Sequence, residues 1–130
     1  MNLTEWTVIF IDNSSDIISK DVKENEIICI SKKKGVVKYI IQPLLGNEIM
    51  QKIKEGQICI VCLNSKTNLR FLIENWPELI KNPGLKIIFA NPELNMQWII
   101  IPYVHNMVSD PSTLKLGLKS IFESVPEIIF

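Results

Sequence analysis

The chain is poor in the residues that carry most recognisable chemistry. Its 130 residues hold one histidine, one arginine, one alanine, three cysteines and five isolated glycines. Neither G-x-G-x-x-G nor a P-loop occurs, so the best-marked nucleotide cradles are absent. Net charge is lacking too. Fourteen basic residues cancel fourteen acidic ones, whereas a duplex binder needs surplus Lys and Arg to displace counterions from phosphates. Arg70 alone offers the forked donor that grips phosphate or guanine in two places. Nucleic acid is therefore unsupported, and RNA binding rests only on the Lys32-Lys33-Lys34 turn and some aromatics. No aromatic is interleaved in that run for base stacking, so a solvated turn is the plainer reading. The longest apolar runs span a few residues, far short of the roughly 20 that cross a bilayer. The N-terminus shows no basic region followed by a long apolar stretch, so no signal peptide is expected. With three cysteines, this points to a reducing, cytoplasmic location.

What is present is apolar. Hydrophobic residues make up 47% of the chain and charged residues 22%, enough to bury one core, and a single domain over 1–130 is expected. The 23 isoleucines and eleven asparagines read as a coding bias toward AT-rich codons.

Strand-length runs alternate with punctuation. Thr7-Val8-Ile9-Phe10-Ile11 is β-branched and aromatic and predicts a buried strand. Asp12-Asn13-Ser14-Ser15-Asp16 then reads as an Asx turn capping a short helix over 14–21. Ile27-Ile28-Cys29-Ile30 and Val36-Val37-Lys38-Tyr39-Ile40-Ile41 predict a hairpin. Asn47 predicts a helix cap and Gly56 its end. Ile58-Cys59-Ile60-Val61-Cys62-Leu63, apolar throughout, predicts a central strand covered on both faces. Leu69, Leu72, Ile73 and Trp76 fall at helical spacing, broken at Pro77. Leu85–Ala90 and Trp98–Ile101 predict the last strands. Asp110 as cap and Pro111 as first residue predict a closing helix. Together these predict an α/β domain with a mixed, mostly parallel sheet of five or six strands and about three helices.

In open α/β sheets ligands sit beyond the carboxyl ends of strands, which selects Asp12, Ser14, Asn64 and Asn91, with His105 a little beyond. A carboxylate there suits Mg²⁺ and phosphate chemistry. The strand–helix order loosely resembles flavodoxin-like and receiver-type folds. Asp12 and Ser14 resemble part of the metal motif of von Willebrand A-like domains, although residue 16 is Asp where that motif has Ser. Asp12-Asn13 stands where receivers have an acidic pair. Receivers also imply a phospho-acceptor Asp where this chain has Asn64, and a Lys near the last strand where Ile101-Pro102-Tyr103 has none. No catalytic residue, metal ligand or cofactor is carried over.

Cys59 and Cys62 have C-x-x-C spacing, but positions i and i+3 of a strand face opposite ways. They are expected to be buried structural thiols. His105 has no nucleophile beside it and reads as a loop or helix-edge residue. The leading expectation is a protein-interaction or accessory module, possibly self-associating. Its contacts are sought at Trp76, the 98–105 segment and the apolar tail, Ile128, Ile129 and Phe130. The alternative is a ligand or Mg²⁺-dependent phosphate site built from Asp12, Ser14, Asn64, Asn91 and His105.

Overall fold

The computed structural model describes residues 1–129, so Phe130 lies outside the described residues. One six-stranded sheet organises the chain: β1 (Ile17–Val22), β2 (Glu26–Ser31), β3 (Gly35–Ile41), β4 (Ile58–Leu63), β5 (Leu85–Asn91) and β6 (Met96–Ile100). The strands lie in the sheet in chain order, β1 to β6. The predicted 27–41 hairpin is β2–β3, and the 58–63 run is a central strand. The sheet is mixed but not mostly parallel: β3–β4 and β4–β5 are parallel, and the other three pairings are antiparallel. The reason lies in the connections. Only residues 42–57 and 64–84 are long enough to carry the chain back over the sheet; the other links are tight turns.

Among the described residues five helices flank the sheet, not three: α1 (Leu3–Asp12), α2 (Lys66–Glu74), α3 (Trp76–Leu79), α4 (Pro102–Val108) and α5 (Leu114–Glu123). Residues 47–51, where a helix is expected, form a 3-10 turn. The strand predicted at 7–11 is part of α1. Asn2 caps it by accepting from the Glu5 amide at 2.8 Å, and Leu3, Trp6, Thr7 and Ile11 form one buried stripe. Cap and stripe together outweigh the strand preference of Thr7-Val8-Ile9. The helix predicted at 14–21 is instead β1, recruited by β2 as an edge strand. Asp110 binds the Ser112 amide in a turn, and α5 starts only at Leu114.

Two apolar layers result. Leu72, Trp76, Leu79, Leu118 and Phe122 pack with Ile60, Cys62, Ile87 and Phe89 on one face. Leu3, Trp6 and Ile11 of α1 pack with Cys59, Val61 and Ile88 on the other. Both parallel crossovers lie on the first face, since Ile49 and Ile53 join that layer as well. A right-handed crossover repeated in one direction along a sheet must use one face. The doubly wound arrangement of flavodoxin-like and receiver folds needs a reversal in strand order; this sheet has none.

The cysteines follow strand alternation. Cys59 sits in the α1 layer and Cys62 in the opposite one, both fully buried. Burial pushes the Cys59 thiol up to about 12 from 9.0 and the Cys62 thiol well above its usual value. The folded chain thus keeps protons that the unfolded chain releases above pH 9. Stability is expected to be insensitive to these thiols below pH 9 and to fall as pH rises toward 12. Native protein should react with a disulfide reagent at neutral pH no faster than it unfolds. Prompt labelling of either thiol would contradict this.

Candidate functional site

The carboxyl ends of β4 and β5 are closed by the chain itself. Ser65 caps α2 there by accepting from the Asn68 amide at 3.2 Å. Asn64 is fully buried. Its side-chain amide donates to the carbonyls of Val125 at 2.9 Å and Phe122 at 3.3 Å, and its oxygen accepts from the Trp98 indole at 2.7 Å. Asn91 donates to the Pro126 carbonyl at 3.0 Å. The Ile128 amide donates to the Asn64 carbonyl at 2.8 Å. The strand ends that the sequence marked as a ligand site are therefore filled by residues 125–128.

The five candidate ligand residues divide into three places. Asn64 and Asn91 come together, on the C-terminal segment. Asp12, the last residue of α1, pairs with Lys20 at 2.5 Å, and it and Ser14 line a shallow depression there. His105 stands on α4 with its ring edge-to-face to Trp76, centroids 5.8 Å apart. Trp76 is buried and donates from its indole to Asn106 at 3.1 Å. Ile128 is half-buried and Ile129 is 82% exposed.

A hollow of about 730 Å³ forms a groove between α2 and α5. Leu69, Ile73 and Phe122 floor it, and charges of both signs rim it. Lys66 meets Glu127 at 3.7 Å and Lys119 meets Glu123 at 4.0 Å. Exposed pairs of this kind contribute little and select no ligand charge.

The more informative surface is the β6 margin. The chain matches no protein-family model, no curated protein and no solved structure. β6 is an edge strand whose outer amides and carbonyls have no partner among the described residues. The opposite edge, β1, is guarded: its register slips between Ile17 and Ser19, and it carries exposed Lys20 and Asp21. Bulges and charges of this kind prevent edge pairing. β6 has neither. Its pairing to β5 is unbroken from Met96 to Ile100, and no Asp, Glu, Lys or Arg occurs between Glu93 and Asp110.

α4 begins two residues after β6 and packs against β5 and α3. It is turned the unusual way for a surface helix. Asn106 and His105 face Trp76, while Tyr103, Val104, Met107 and Val108 are exposed, the last by 81%. Ile99 on β6 is 43% exposed. The sequence pointed to 98–105, but the reversed polarity of α4 was not visible there. It depends on Trp76, 30 residues away, supplying the polar partner.

Proposed function

We propose that the protein is a non-catalytic protein-binding module and that it works by pairing with a second copy of itself along β6. The observation that carries this is the contrast between the two sheet edges: β1 is bulged and charged, while β6 is regular, uncharged and bare. In a two-fold arrangement β6 would meet β6 of the second copy antiparallel, each supplying the hydrogen bonds the other lacks. Such a contact sets each residue against residues of the same patch, so a patch without charge meets no like-charge repulsion. The exposed face of α4 would flank the paired strands and bury its apolar side chains. No such complementarity selects a charged partner.

The test is the mass in solution by light scattering over a wide concentration range. The unaltered chain is expected to be a dimer. Ile99→Lys places a charge on the bare edge, and Met107→Glu places one on the outer face of α4. Each is expected to weaken the dimer at least tenfold. Met107 is 70% exposed, so its replacement should alter monomer stability by no more than about 0.5 kcal/mol. A chain that stays monomeric at high concentration, or variants that dimerise as well as the parent, would overturn the proposal.

A further inference from the structure

At the amino ends of β4 and β5, opposite the closed carboxyl ends, lies a polar cleft of about 100 Å³. It opens beneath the segment that follows α1. Ser14, Lys34, Tyr39, Gln57 and Lys86 line it, with Asp16 at its margin. β3 delivers Tyr39 and β5 delivers Lys86 to the same sheet face as Cys59, because Tyr39 pairs with Cys59 across β3–β4 and Cys59 pairs with Lys86 across β4–β5. Lys34 comes from the β2–β3 turn.

Three features set this cleft apart. Tyr39 is only 5% exposed, yet its hydroxyl makes no hydrogen bond among the described residues. No side-chain oxygen or nitrogen sealed from solvent lacks a partner among the described residues, so this hydroxyl opens into the cleft, where it is free to donate to an occupant. Lys34 and Lys86 make no ion pair with any described carboxylate. Asp16, by contrast, is already engaged. It accepts from the Ser31 hydroxyl and from the Lys33 amide at 3.2 Å, and these bonds hold its carboxyl below the usual value. The charges lining the cleft thus sum to +1, with both cations uncommitted. Lys86 and Lys34 are close enough to offset part of the upward push that burial exerts on the Cys59 thiol beneath them.

From this we infer that the cleft binds a small oxyanion of the phosphate class. Two ammonium groups, a phenol, a serine hydroxyl and a glutamine amide give donors on several sides of one small space, which suits a tetrahedral anion with several acceptor oxygens. The size is decisive against larger ligands. About 100 Å³ equals roughly three waters at ~30 Å³ each, whereas pockets for cofactor-sized molecules begin near ~300 Å³. Only the anionic group enters, either as free phosphate or as the terminal group of a larger phosphomonoester. Of the five residues the sequence marked at the strand ends, Ser14 alone lines the cleft, together with Lys34 of the lysine turn.

The experiment is a titration with inorganic phosphate, and separately with phenyl phosphate, followed by amide chemical shifts. Sodium chloride at matched ionic strength is the control. Phosphate is expected to shift residues of the β2–β3 turn and the start of β5, and chloride is not. Tyr39→Phe keeps the ring and removes only the hydroxyl; it should weaken binding severalfold. Lys86→Met should weaken it at least tenfold. Tighter binding of phenyl phosphate than phosphate would assign the site to the end group of a larger molecule; the reverse would assign it to the free ion. Shifts no larger than those from chloride, or equal binding by both variants, would overturn the inference. Because neither variant alters a residue of β6 or α4, the mass in solution is an independent readout.

Discussion

Replacement of Asn64 by alanine is expected to cost roughly 2–6 kcal/mol, at about 1–3 kcal/mol for each of two buried groups left without a partner. Those groups are the Trp98 indole N–H and the Val125 carbonyl, held by Asn64 at 2.7 and 2.9 Å. Neither has another partner among the described hydrogen bonds. The Phe122 carbonyl, also served by Asn64, still receives the Val125 amide at 3.4 Å. A small domain has only about 5–15 kcal/mol in all, so the variant should unfold at far lower urea. The loss is also local in its first effect. Asn64 joins β4, β6 and the end of α5, so residues 124–128 should open to protease before the sheet does. Asn64→Asp separates the two roles: it keeps an acceptor for Trp98 but sets a carboxylate against two carbonyls. It should be no more stable than the alanine variant. A midpoint shift equivalent to less than about 1 kcal/mol for alanine would show that water replaces the amide there without penalty.

Phe89→Ala is expected to cost about 3–5 kcal/mol, the range for emptying a buried aromatic site. Phe89 is fully buried at the centre of the α2–α5 face and stacks on Trp98, centroids 4.1 Å apart and planes 5° apart. Strands β5 and β6 place the two residues directly opposite each other, so the sheet backbone holds the remaining walls of the hole and limits collapse. Phe89→Leu refills most of the volume and should recover more than half of the loss. Since Asn64 and Phe89 both hold Trp98, the double variant should fall short of the sum of the single effects by about 0.5–3 kcal/mol. Strict additivity would mean that the indole is fixed by something other than these two contacts.

The asparagines show how composition and structure diverge. Eleven of them in a chain with one alanine read as coding bias, which accounts for their number but not their places. Four, Asn64, Asn68, Asn82 and Asn91, are buried. Asn68 binds Pro43 and Leu63 carbonyls and the Leu45 amide, at 2.7–2.8 Å. Asn82 binds carbonyls at Ile53 and Gly56. Each satisfies loop backbone that the crossovers bury. An amide side chain carries both donors and acceptors, so it can serve either need. Asn82 and Asn91 also accept from the nearby Gly84 and Leu94 amides, and Asn68 reaches Leu63 five residues before it, but every other side-chain partner of the four is 23 or more residues away, so the sequence nearby does not mark them as buried.

Local pattern alone determined the β2–β3 hairpin, the central β4, the strand at β5, the amphipathic α2 and α5, and the opposite facing of Cys59 and Cys62. These follow from side-chain alternation and helical spacing, which are properties of a few adjacent residues. The N-terminal helix was also present locally, in the Asn2–Glu5 cap and the 3-6-7-11 stripe, but a β-branched run masked it. Tertiary structure decided the rest. β1 is a strand only because β2 offers it an edge. The sheet is mixed because only two connections are long enough to cross it. The ends of β4 and β5 are closed because the C-terminal segment bonds to Asn64 and Asn91 there. The bare β6 edge, the outward apolar face of α4 and the unpartnered Tyr39 hydroxyl are all defined by what lies, or does not lie, beside them in space. An unfilled hydrogen bond is a relation between distant residues, and the residues near it in the chain carry no record of it.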